Sequence, residues 1–68
     1  MDKKQKIEVK EFLDKHRYNI ELMSFIANLR NRVMMHSDRW SMVYDFLQKF
    51  DPEATGTLVT SLTYWIEQ

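Results

Sequence analysis

The sequence predicts an all-α fold, a small bundle of three to four helices forming one domain over residues 1–68 and pairing as a homodimer. Three observations predict it. The 68 residues include one glycine and one proline, too few turn formers for a many-stranded sheet. Apolar residues recur at helical spacing through most of the chain. There is no cysteine, so a chain this short must rely on dense packing of large side chains or on self-association. Two Trp, four Phe, three Tyr and five Met supply those side chains.

The first helix is expected from Lys4 to about His16. At 100° per residue Val9, Phe12, Leu13 and His16 share a stripe, with Lys10, Asp14 and Lys15 off it. The stripe then jumps by about a quarter turn near Arg17–Asn19, which predicts a break rather than one long helix. Asn19 can cap a second helix from Ile20 to about Met35. Leu22, Met23, Phe25, Ile26, Leu29, Val33 and Met34 cover more of its girth than a surface helix needs, leaving a polar strip of Glu21, Ser24, Asn28, Asn31 and Arg32. Such a helix should sit centrally in the bundle or be shared with a partner chain.

Ser37 or Asp38 is expected to cap a third helix that presents Trp40, Val43, Phe46, Leu47 and Phe50 and stops near Phe50, because Asp51 precedes a proline. Asp51-Pro52-Glu53-Ala54 has the form of a helix start and Gly56 of its stop. Thr57 or Thr60 should cap a last helix carrying Leu58, Leu62, Trp65 and Ile66 at i, i+4, i+7 and i+8.

The run from Phe50 to Leu58 resembles an EF-hand loop, closest to the degenerate EF-hands in the cytoplasmic tails of voltage-gated calcium and sodium channels. Asp51, Glu53 and Thr55 fall at its first, third and fifth positions, Gly56 at its sixth and Leu58 at its apolar eighth. The resemblance implies a helix–loop–helix that could hold calcium. Leu62 stands where the bidentate glutamate is needed and Val59 at the ninth position, so the run is read as an interhelical turn, with no metal and no cofactor.

His16 and His36 are the only imidazoles. His36 and Ser37 are neighbours in sequence and do not face each other as base and nucleophile would. Catalysis is therefore not expected. No apolar run is long enough to span a membrane, and Met1–Phe12 lacks the apolar core of a secretory leader. With no cysteine, the cytoplasm is the expected compartment.

Arg30 and Arg39 fall within the apolar arcs of the second and third helices. Either each meets a carboxylate such as Asp45, Asp51 or Glu53, or each belongs to an interface, where arginine and aromatic residues concentrate. Tyr64 lies opposite the Leu62/Trp65 face, and Met35 falls on the polar strip of the second helix. The expected function is a small protein-binding or regulatory module, inhibitor- or adaptor-like and of a size common in phage and plasmid genomes, contacting another protein through Arg30, Arg39, Met35, Trp40 and Tyr64. The alternative is a DNA-binding regulator in which the second and third helices imitate a helix-turn-helix. The zero formal charge at pH 7 and the absence of a glycine in that turn place nucleic acid second.

Overall fold

The computed structural model describes all residues from Met1 to Gln68 and contains four helices, α1 (Lys3–Lys15), α2 (Ile20–Arg30), α3 (His36–Phe50) and α4 (Gly56–Glu67), with no strand. No helix is long and apolar enough to cross a membrane.

Local chemistry explains most of the boundaries. The Asp2 carboxylate accepts from the Gln5 N–H at 2.8 Å while Gln5 Oε1 accepts from the Asp2 N–H at 3.0 Å, a reciprocal cap that satisfies two otherwise unpaired donors at the start of α1. Asn19 Oδ1 accepts from the Leu22 N–H at 3.0 Å and starts α2, so the expected break after His16 is present. The α1 stripe also packs as expected. Val9 and Phe12 are buried, Leu13 packs against the core, and the His16 ring lies 4.9 Å from both Phe12 and Phe50.

Three boundaries differ from those expected. α2 ends at Arg30 rather than Met35, with Asn31 as its C-cap. Its apolar stripe of Leu22, Ile26 and Leu29 would continue to Val33 in a helix. Instead the backbone extends, Val33 projects wholly into solvent and Met34 packs against the core. Tertiary contacts hold this exit: Arg39 Nη2 donates to the Arg32 carbonyl at 2.8 Å, a carbonyl that a longer helix would have used internally. Met35 is therefore not on α2 at all but is the N-cap of α3, without a side-chain hydrogen bond of its own. Ser37 and Asp38, expected as caps, lie inside the first turn of α3, where the Asp38 carboxylate complements the helix dipole.

The third difference is at Gly56. It is the first residue of α4, not the stop of an earlier helix, and the cap is Thr55, whose Oγ1 accepts from the Leu58 N–H at 3.2 Å. Thr57 and Thr60, expected as caps, are interior. Asp51–Ala54 forms no helix but a turn in which Asp51 Oδ1 accepts from the Glu53 N–H and the Asp51 carbonyl from the Ala54 N–H. The carboxylate thus closes the turn, and no cluster of three or more His, Asp or Glu side chains suited to a metal ion forms anywhere in the chain. Gly56 has no positive φ, and a Cβ placed on it would meet nothing within 4 Å. Gly56→Ala is accordingly expected to stabilise the fold by about 0.5 kcal/mol, read as a rise in the urea midpoint at constant slope. A glycine required as a helix stop would give a loss instead.

The central helix is α4, not α2. α4 packs against all three other helices and buries Leu58, Val59, Ser61, Leu62, Thr63 and Ile66, a wider arc than any other element. The buried Thr63 hydroxyl is satisfied by the Val59 carbonyl at 2.7 Å. α2 contributes Leu22, Ile26 and Leu29 to the core and stacks Phe25 on Phe46 of α3 at 4.1 Å between ring centroids. Its opposite side, carrying Ile20, Ser24, Ala27 and Asn28, is open to solvent.

Candidate functional site

α3 and α4 run antiparallel, as their cross-contacts show. Thr60 meets Trp40, and one turn further along Tyr64 meets His36. His36, Trp40 and Tyr44 follow one another at i, i+4 and i+8 and therefore form one stripe of α3. Thr57, Thr60 and Tyr64 form the facing stripe of α4. The rings pair in near-parallel stacks: His36 on Tyr64 with centroids 4.9 Å apart at 30°, and Trp40 on Tyr44 at 5.3 Å and 11°. Trp40 Nε1 donates to Thr60 Oγ1 at 3.0 Å, and Thr60 also donates to the Gly56 carbonyl at 3.0 Å. Trp40 is thus held from two sides, by the Thr60 hydroxyl and by the Tyr44 ring.

The outer edge of this face carries Ser37, Ser41 and Gln48, all exposed. Of the chain's ten cations and ten anions, α4 holds only Glu67. The charged residues of α3 that lie in solvent, Asp38, Asp45 and Lys49, project from the opposite flank at the helical period. The result is a surface of Tyr, Trp, His, Ser and Thr without a free charge.

One end of the face is closed by a polar cluster. Arg39 Nη1 donates to Glu67 Oε2 at 2.9 Å, and His36 Nδ1 lies 2.8 Å from Oε1 and 2.9 Å from Oε2 of the same carboxylate. Arg39 is only 12% exposed at its side chain. Partial desolvation alone would raise the Glu67 pKa. Hydrogen bonds from His36 and Arg39, with the charges of both, outweigh it and hold the carboxyl below its ordinary range. The cluster also places the Arg39 guanidinium beside the C-terminus of α4, where the helix dipole favours a cation. On its far side Arg32 Nη1 approaches Met42 Sδ at 3.6 Å, tying the α2–α3 connection to α3.

The five residues expected at a partner surface divide as follows. Trp40 and Tyr64 lie on the aromatic face, and Met35, 70% exposed, stands at its edge next to His36. Arg39 is beneath that end, engaged with Glu67 and the Arg32 carbonyl rather than with Asp45, Asp51 or Glu53. Arg30 is elsewhere: its guanidinium lies 4.1 Å from the Trp65 ring centroid, and Trp65 points about 100° around α4 from Tyr64. His36, Tyr44, Thr60 and Glu67 were missed. The aromatic stripe at 36, 40 and 44 and the charge-free run from Ala54 to Ile66 are both readable in the sequence and would have found His36, Tyr44 and Thr60, whereas nothing local in the sequence marks Glu67.

No protein-family model matches this chain, and no curated protein or solved structure matches it either.

Proposed function

We propose that this chain is a small non-catalytic protein-binding module that docks a partner protein through the α3–α4 face, and that it self-associates through another surface. The observation that carries the reading is a face of pre-stacked aromatic rings and hydroxyls from which free charge is absent. Interface centres are depleted in charge and enriched in Tyr and Trp. Aromatic and hydroxyl groups give large contact area and adaptable hydrogen bonds at low entropy cost, and rings already held in stacks lose little freedom on docking.

The DNA-binding alternative draws less support. Arg39, the cation nearest the start of α3, is occupied by Glu67 and the Arg32 carbonyl. The exposed side of α3 carries His36, Ser37, Asp38, Ser41, Tyr44, Asp45, Gln48 and Lys49, one lysine beside two aspartates and a poor match for phosphate.

The test is affinity capture with the Tyr44→Ala/Tyr64→Ala double variant beside the unchanged chain. Both tyrosines are exposed, so helicity should be retained while capture falls at least about tenfold, the loss of one or two interface hot spots. Capture by the unchanged chain should also vary little between about 50 and 500 mM NaCl, because no phosphate-like charge contact drives it. Capture indifferent to both tyrosines removes the assignment, and steep salt loss on random duplex DNA favours the alternative.

A further inference from the structure

The first half of α1 turns a lysine face to solvent. At the helical period Lys3, Lys4, Lys6, Ile7 and Lys10 fall within an arc of about 160° centred opposite the buried Val9 and Phe12. All five are exposed, Ile7 to 47%. None of the four lysines is ion-paired, for the only ion pairs of the molecule join His36 and Arg39 to Glu67. The Asp2 carboxylate is taken up by the Gln5 N–H, and Glu8 is half-buried with its Oε1 turned out of solvent. The exposed acids of α1, Glu11 and Asp14, stand on the same side but only after Lys10.

Two further observations set this face apart. A helix dipole favours anions in the first turn, and α1 has no acid there but opens on Lys3 and Lys4. Breaches of such local rules are expected at functional surfaces. Charge is also segregated along the chain. Up to Arg17 there are six cations and four anions, and beyond it four cations and six anions. A chain of zero formal charge is thus polarised, with its positive pole toward α1, and an outside field of negative sign orients it.

We infer that the outer face of α1 docks on an anionic lipid surface, with Lys3, Lys4, Lys6 and Lys10 among the headgroups and Ile7 entering between them. The face is convex and one helix wide, and neither groove of the molecule lies on it, so it suits a plane rather than a peptide. Its cations are all lysines, whose alkyl stems lie along an apolar boundary while the ammonium stays with the headgroups. Nucleic acid is held by arginine forks and aromatic stacking, and this face has neither. Ile7 gains on entering the acyl boundary and gains nothing from a phosphate backbone. The apolar side of α1 is already spent on the core, so binding is peripheral and reversible, and Glu11 and Asp14 keep the second half of the helix off the surface.

Vesicle co-sedimentation of the unchanged chain tests this, with phosphatidylcholine alone and with about one-third phosphatidylserine. Each lysine near such a surface strengthens binding on the order of fivefold. At about 50 mM NaCl, partition should therefore be at least about tenfold higher on the anionic vesicles, and near 500 mM it should fall to the neutral level. Lys3→Gln/Lys6→Gln/Lys10→Gln should abolish the difference with helicity unaltered, whereas Lys49→Gln, outside the face, should preserve it. Ile7→Gln should lower partition about fivefold without changing its salt dependence. Tyr44→Ala/Tyr64→Ala should leave partition unchanged, which separates failure of this surface from failure of the α3–α4 face. Equal partition on both vesicles overturns the inference, as does anionic binding that survives the triple substitution or ignores Ile7→Gln. Salt-sensitive retention on duplex DNA that needs the same lysines but not Ile7 overturns it in favour of a phosphate backbone.

Discussion

Leu62→Ala is expected to be the most destabilising single substitution in the chain, removing about 3–5 kcal/mol and lowering the thermal midpoint by roughly 10–30 °C. Leu62 has no solvent exposure and stands in the middle of α4, the helix that touches every other. A cavity at a two-helix contact can shrink by small shifts of either helix. One at the hub cannot, because movement toward it from one neighbour pulls away from the other two, and such uncollapsed sites lie at the upper end of measured costs. A domain of this size has only about 3–10 kcal/mol in total, so the variant should be largely unfolded at modest temperature. Val33→Ala, at a residue that packs on nothing, should change stability by less than about 0.5 kcal/mol. Urea denaturation of both variants checks the contrast. A Leu62→Ala loss below about 1 kcal/mol would mean that α4 is not the element on which the core depends.

The identity of that hub was the least legible part of the fold. The four helices, the break at Arg17–Asn19 and the end of α3 before Pro52 follow from periodicity, caps and proline sterics, all of which act over a few residues. Centrality does not. The segment from Ile20 to Met35 looks the greasier in sequence, yet Ile20, Val33 and Met35 are exposed and Met23, Phe25 and Met34 only partly buried against the core. α4 has as many large apolar residues as α2 and surrounds them with buried Ser61 and Thr63, whose small side chains let neighbouring helices approach. A wheel that counts only large hydrophobics gives such residues no weight. The end of α2 was hidden for a related reason. Nothing in Arg32-Val33-Met34 forbids a helix, and what ends it is an arginine seven residues further on that claims the Arg32 carbonyl.

The candidate site shows the same division. Trp40 and Tyr64 could be picked out because large side chains off the core face are conspicuous. Arg39 could be recognised as unusual, but its partner could not be chosen. Asp45, Asp51 and Glu53 are closer in sequence, whereas Glu67 is reached only because antiparallel packing sets the last turn of α4 beside the first turn of α3. Gly56 was misread because glycine after a proline turn suits both a stop and a start. The deciding feature is Thr55, which caps forward rather than backward.

Breaking the Arg39–Glu67 contact carries the second large effect. Arg39→Met keeps the aliphatic stem but removes donors to Glu67 and to the Arg32 carbonyl, and is expected to cost about 2 kcal/mol, since charge-assisted bonds at partly buried sites count for more than neutral ones. Its pH dependence separates this pair from ordinary packing. The Glu67 pKa is lower in the folded chain than in the unfolded one, so the unfolded state binds the proton more readily. The stabilisation is therefore fully present above the ordinary glutamate range, near pH 4.3 and upward, and is lost as pH falls through the folded value. Glu67→Gln removes the titrating group itself. The unchanged chain and Glu67→Gln should differ most near neutral pH and converge as pH drops below about 4. Taking the difference between the two cancels the titration of every other carboxylate. Urea midpoints measured between about pH 3 and 7 decide it: a gap that stays constant across that range would mean that the carboxylate holds α3 to α4 by shape alone, with no contribution from its charge.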